Sequence, residues 1–61
     1  MDEEIIELIK KAKIKHGDHV EIVFDIDLRH NTLIGEIRDY FEDETVFYFG
    51  TIDELRTHLN E

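Results

Sequence analysis

The chain has 61 residues, and its 16 acidic and 7 basic residues give a net charge of −9 at pH 7. A chain of this length forms one domain with one small core, which excludes a second domain and a deep enclosed pocket. The absence of Cys excludes disulfides and thiolate metal sites, and the absence of both Cys and Ser removes the commonest nucleophiles for acyl transfer.

The N-terminal residues do not predict export from the cell. Met1 is followed by three acids, whereas a signal peptide begins with a basic segment. No apolar run approaches the ~20 residues that a membrane-spanning helix needs. We therefore expect a cytoplasmic protein.

The first predicted element is a helix over residues 2–15. Its apolar residues recur at the spacing of one helix face, at Ile5, Leu8, Ile9 and Ala12. Asp2 is the predicted N-cap, and the lysines after residue 9 lie at the negative end of the helix dipole. Gly17 is the predicted left-handed stop.

Three strands and a second helix follow. Residues 19–28 alternate apolar and polar side chains, which predicts a strand. Turns near residues 29–31 and 42–44 separate it from strands at about 32–41 and 45–49. Thr51 and Glu54 form a capping box that starts a helix over about 52–60. The prediction is an α+β fold of order α-β-β-β-α, a three-stranded antiparallel meander with both helices packed on one face.

Two registers of the first two strands keep their apolar faces together. A two-residue loop at Arg29 and His30 places Ile22 opposite Ile37 and Glu21 opposite Arg38. Moving the loop by one residue sets two carboxylates opposite each other, which costs stability. We therefore expect the first register.

In that register, one sheet face is apolar and the other is open. The face under the helices holds Val20, Ile22, Phe24, Ile26, Leu33, Ile37, Phe41, Phe47 and Phe49. The open face holds Glu21, Val23, Asp25, Asp27, Ile34, Glu36, Arg38, Tyr40, Val46 and Tyr48. It is a mixed surface of carboxylates, tyrosines and aliphatic groups.

The negative charge is concentrated after residue 15. Acids and lysines balance within residues 1–15, so the whole deficit of −9 falls on residues 16–61. Such a field repels nucleic acid and anionic membranes and attracts basic surfaces. The predicted contacts with a basic partner are Asp25, Asp27, Glu36, Asp39, Glu42, Asp43 and Glu44, with Tyr40 and Tyr48 as aromatic contact area.

Two alternatives involve metal ions. Asp25, Asp27 and Glu36, with Arg38 two residues later, have the approximate spacing of a metal-dependent nuclease. His16 and His19 provide two zinc ligands, one fewer than a site needs unless another histidine or subunit contributes. Solvated strand carboxylates and an ordinary helix end explain these patterns more simply, so we expect neither a metal nor a cofactor.

The order of elements resembles that of the double-stranded RNA-binding domain, which also packs two helices on a three-stranded antiparallel sheet. That family binds RNA through a Lys-rich start to its second helix, and here residues 51–55 are acidic. The resemblance therefore implies the fold and not RNA binding. The order is also similar to that of some small acidic phage proteins that inhibit CRISPR nucleases by occupying a DNA-binding groove.

The sequence thus predicts a non-enzymatic module that docks on a basic protein, including, as one form, a nucleic-acid mimic made by a phage or mobile element. The alternative is a domain that homodimerises through its open face, using Ile34, Tyr40, Val46 and Tyr48. A third interpretation is that the acidity serves only solubility or adaptation to salt. Salt-dependent partner binding and oligomeric state distinguish the first two.

Overall fold

The computed structural model describes residues 3–61 and has the predicted order of elements. Helix α1 spans Glu3–His16, strands β1, β2 and β3 span Val20–Asp27, Thr32–Asp39 and Glu44–Phe49, and helix α2 spans Ile52–Leu59. The strands form one antiparallel sheet in the order β1, β2, β3, with both helices on one face. Asp2 lies outside the described residues. None of the helices within them is long and apolar enough to cross a membrane.

Local signals fix the ends of the helices as predicted. Gly17 has φ of 103° and donates its backbone N–H to the Lys13 carbonyl at 2.9 Å, which ends α1. At the start of α2, the Thr51 hydroxyl accepts the Glu54 N–H at 3.1 Å. The Glu54 carboxylate binds the Gly50 N–H at 3.1 Å, one residue before the predicted donor.

The predicted register of β1 and β2 is confirmed. Ile22 lies opposite Ile37 and Glu21 opposite Arg38. The loop is longer than predicted, because the strands stop at residue 27 and resume at residue 32. Asn31 closes the loop with φ of 53°, a left-handed conformation that Asn adopts more readily than most residues.

A β-bulge in β3 changes which side chains reach the open face. Phe47 lies opposite Ile37 and Thr45 opposite Arg38, so Val46 between them is an extra residue. Beyond the bulge, the Thr45 hydroxyl donates to Glu36 Oε1 at 3.1 Å on the open face. Strict alternation predicts Val46 there and does not predict Thr45.

The core joins both helices to all three strands. Its buried members are Leu8, Ala12, Val20, Ile37, Phe49, Leu55 and Leu59. The predicted burial of Ile26 and Phe41 is wrong, because these side chains are 60% and 78% exposed. The 14-residue α1, which packs on β1, is about 21 Å long, whereas eight-residue β1 extends about 27 Å, so one end of the sheet stays uncovered. Phe41 lies in the turn after β2, outside the sheet.

Candidate functional site

The lysines are bound on or near the helices and do not neutralise the sheet. Lys10 contacts Glu7, Lys11 the Asn60 amide oxygen, Lys13 the backbone carbonyls of Asp18 and Val20, and Lys15 the backbone carbonyl of His58. Of these acceptors, the His58 carbonyl lies at the C-terminal end of α2, where the helix dipole favours a cation. The basic segment of α1 therefore has a structural role.

Arg38 is the arginine of the open face, and two carboxylates hold it. Its guanidinium donates to Glu36 Oε1 at 3.0 Å and also binds Asp43. The bond to Asp43, followed by the bond to Glu36, raises the pKa of Arg38. Glu21 lies opposite Arg38 in the sheet, as predicted, but the guanidinium binds these two other acids.

The middle of the open face forms a shallow depression of about 420 Å³. Val23, Ile34 and Tyr48 supply apolar area, while Asp25 and Glu36 supply carboxylates. The Tyr48 side chain is 70% exposed and Val23 is 43% exposed. Asp25 accepts only the backbone N–H of Ile26, at 2.8 Å. The depression therefore combines a carboxylate that has no basic partner with an exposed aromatic ring.

A second exposed patch is the acidic turn, which we define as residues 41–44. Phe41 is fixed there between two rings, stacked on His19 with centroids 5.6 Å apart and edge-on to Tyr40 at 5.1 Å. Asp43 binds Arg38, whereas Glu42 and Glu44 have exposed side chains. The turn therefore presents a fixed aromatic ring beside two carboxylates.

Asp39 shapes the acidic turn and is largely covered. Its Oδ1 accepts the backbone N–H groups of Phe41 and Glu42 at 3.0 and 3.1 Å. Its Oδ2 is 3.1 Å from His19 Nε2, and the side chain is 16% exposed. These bonds, the Glu42 N–H first, lower the pKa of Asp39. A carboxylate bound this way has little capacity left for a partner.

Asp27 has the corresponding position in the β1–β2 loop. Its Oδ1 accepts the Arg29 N–H at 3.0 Å, and its Oδ2 lies 2.7 Å from His30 Nδ1. The His30 bond is the main cause of the lowered pKa of Asp27. Sequence reasoning missed this role, although an Asp two or three residues before the groups it bonds is typical of a turn.

The two predicted tyrosines have different surroundings. Tyr48 lies opposite Glu36 within the sheet. Tyr40 follows the last residue of β2, and its hydroxyl donates to the Asp18 carbonyl at 3.4 Å. The candidate residues therefore divide into the depression around Tyr48 and the acidic turn beside Tyr40.

The two histidines considered as an alternative zinc site have different partners. His16 pairs with His58 of α2, and His19 pairs with Asp39. Across residues 3–61, no three His, Asp or Glu side chains are grouped in a way that could hold a metal ion. Glu36, part of the nuclease-like spacing, is bonded to Arg38, and Asp27 to the β1–β2 loop.

No protein-family model, curated protein or solved structure matches this chain. The resemblance to the double-stranded RNA-binding domain therefore consists of the order of elements alone.

Proposed function

We propose that this protein is a small, non-enzymatic binding module that docks on a basic surface of another protein through its open face and acidic turn. The observation that carries the proposal is the placement of carboxylates without a basic partner. Within the described chain, they include Glu21 and Asp25 of the open face and Glu42 and Glu44 of the acidic turn. A field of this kind steers a basic partner toward the sheet.

Apolar groups among these carboxylates supply contact area. Tyr48 and Val23 are exposed residues that line the depression, and Phe41 is exposed in the acidic turn. Aromatic residues are enriched at the centres of protein interfaces, while charged groups at the rim mainly affect the association rate and its salt dependence. We expect Tyr48 to be the anchor and the carboxylates to guide the approach.

We further propose that the module is a nucleic-acid mimic made by a phage or other mobile element and acting in the cytoplasm. Carboxylates spaced along strands can take the place of phosphates facing Arg and Lys. Duplex DNA would then compete with this protein for the same partner. A basic partner that binds DNA and this protein together would contradict mimicry while leaving acidic docking intact.

The test is a pull-down from bacterial lysate, with bound proteins identified at low and at high salt. The docking variant carries Asp25→Asn, Glu42→Gln and Glu44→Gln. Because each change removes one negative charge, its net charge is −9 + 3 = −6.

The control variant carries Glu3→Gln, Glu7→Gln and Glu61→Gln, and also has a net charge of −9 + 3 = −6. We expect a basic protein to be retained at low salt, released at high salt, lost with the docking variant and kept with the control. Equal retention by both variants would show that net charge alone, and not this surface, drives binding.

A second candidate function is homodimerisation through the open face, which the exposed Tyr48, Val23 and Ile34 around one depression favour. A dimer formed this way would persist at high salt, because screening weakens the repulsion between the two copies. Sedimentation of the wild type and of Tyr48→Ser distinguishes the candidates. A monomer at every concentration excludes dimerisation, whereas a dimer broken by Tyr48→Ser supports it.

A further inference from the structure

The C-terminal ends of the two helices are joined by a pair of histidines, His16 of α1 and His58 of α2. Their Nε2 atoms are 2.9 Å apart, and their rings are tilted by only 9° with centroids 5.1 Å apart. That centroid separation matches the nitrogen distance plus the two ring radii, so the rings lie edge to edge with Nε2 facing Nε2. One nitrogen must donate a proton and the other must accept it.

The surroundings of the histidine pair hold the rings in place. Phe47 of β3 stacks on the face of the His58 ring, with centroids 3.9 Å apart and planes within 5°. The Lys15 ammonium binds the His58 backbone carbonyl. Burial, with the nearby positive charge of Lys15, lowers the pKa of both imidazoles.

The groups that face the pair come from α1, from α2 with the residue after it, and from β3. Lys15 approaches from α1 and opposes protonation, whereas Glu61 beyond α2 favours it at His58. Asp53 and Glu54 line the same depression as His58, but each is already bonded, to Arg56 and to the Gly50 N–H. From β3 the contact is the apolar ring of Phe47.

The pair can hold its bond in only two of its three protonation states. With both rings neutral, or with one ring protonated, a single hydrogen lies between the nitrogens and the N–H···N bond remains. With both rings protonated, two N–H groups meet head-on and two positive charges lie beside Lys15. The pair therefore titrates as a unit in two steps.

We propose that the histidine pair is a pH-dependent link between α1 and α2. The hydrogen bond between the two rings is present near neutral pH and is broken when both imidazoles are protonated. Breaking this bond loosens the contact between the C-terminal ends of the helices and weakens the last turn of α2, while the buried Leu55 and Leu59 still hold the helix in the core. This role is independent of the acidic docking surface.

The test is amide hydrogen exchange followed by NMR, corrected for the intrinsic pH dependence of exchange. The reporter is the Asn60 amide, which donates to the Arg56 carbonyl at 3.0 Å at the end of α2. Because the pKa of both imidazoles is lowered while the pair is bonded, protonation favours the broken state. We expect Asn60 protection to fall from about pH 7.5 to about pH 5, the range in which imidazoles gain protons.

Two variants identify the cause. In His16→Gln, the side-chain amide can donate to His58 without titrating, so the pH dependence should disappear. In His30→Gln, an exposed histidine outside the pair is removed, so the wild-type pH dependence should remain. Equal behaviour of all three proteins, or no loss of protection in the wild type, would overturn the proposal.

The NMR chemical shifts of the imidazoles in the wild type, followed as a function of pH, provide a second measurement that does not depend on the folding of a variant. We expect His16 and His58 to titrate together below the 6.5 of a free imidazole. Independent single-step titrations at the ordinary value would overturn the proposal.

Discussion

Gly35, in the middle strand, lies where two neighbouring groups leave no room for a side chain. A Cβ at this position would lie 2.0 Å from the Val23 carbonyl oxygen and 2.8 Å from Cζ of Phe49. In the sheet, Gly35 lies between Phe24 of β1 and Phe49 of β3. The rings of these two residues meet edge-on, with centroids 5.8 Å apart. Gly35→Ala would therefore force β1 away from β2 and displace the Phe49 ring from the core.

The loss in the free energy of unfolding of Gly35→Ala depends on which neighbouring groups must move. Overpacking a core costs about 1–3 kcal/mol when side chains can adjust. Here the tightest contact is with backbone, so we expect a loss of about 3 kcal/mol or more. A 61-residue domain with roughly 0.05–0.15 kcal/mol of stability per residue has only about 3–9 kcal/mol in total. Gly35→Ala should therefore be partly or fully unfolded.

Gly50→Ala is the matched control. The nearest atom to a Cβ at Gly50 is Glu54 Oε1 at 3.6 Å, an ordinary contact, so the change should be nearly neutral. Urea unfolding followed by circular dichroism measures both variants against the wild type. If Gly35→Ala unfolds at the wild-type midpoint, β1 and β2 do not approach each other as described, and the account of the sheet is wrong.

Three further predictions use the same unfolding assay. Burial lowers the pKa of His16 and His58 in the folded state, so the unfolded chain binds more protons below about pH 6.5. The free energy of unfolding should therefore fall as pH decreases through that range, and a flat profile would contradict the lowered pKa values. Thr51→Ala removes the cap of α2 and should cost about 1 kcal/mol, while Thr51→Ser should restore most of it. Ile37→Ala should cost about 2–5 kcal/mol, because Ile37 is fully buried, whereas exposed Ile26→Thr should change stability by about 0.5 kcal/mol or less. Similar losses at both positions would show that the uncovered end of the sheet is buried after all.

Much of the fold could be predicted because its signals are local. Gly17 ends α1 by its own backbone conformation, and Thr51 starts α2 through a bond within its own turn. Two registers of β1 and β2 keep the apolar faces together, and one of them is less stable because it sets two carboxylates opposite each other. None of these features needs knowledge of distant contacts.

The features that the sequence did not predict depend on geometry between elements. The bulge at Val46 arises from how β3 fits β2, and alternation alone carries no sign of it. Exposure of Ile26 reflects the lengths of helices relative to the hairpin they cover. His16 and His58 are 42 positions apart in the sequence, so only packing of the helices brings them together.

The sequence predicted which acids and tyrosines belong to the candidate surface, but not which of their oxygens are already hydrogen-bonded. The acids and tyrosines of the sheet side were identified, but Asp27 and Asp39 have their oxygens occupied by turn bonds. Which carboxylates remain free depends on backbone N–H groups that fold next to them. The candidates therefore reduce to the depression around Tyr48 and to the acidic turn.

The most direct test of acidic docking is to map where a basic probe binds. Isotope-labelled protein would be titrated with an arginine-rich peptide at low salt while backbone amide shifts are recorded by NMR. We expect the largest shifts at Asp25, Tyr48 and residues 42–44, with their loss at high salt. Shifts centred on the acids of α1, at Glu3 and Glu7, would contradict the assignment of the binding surface to the sheet.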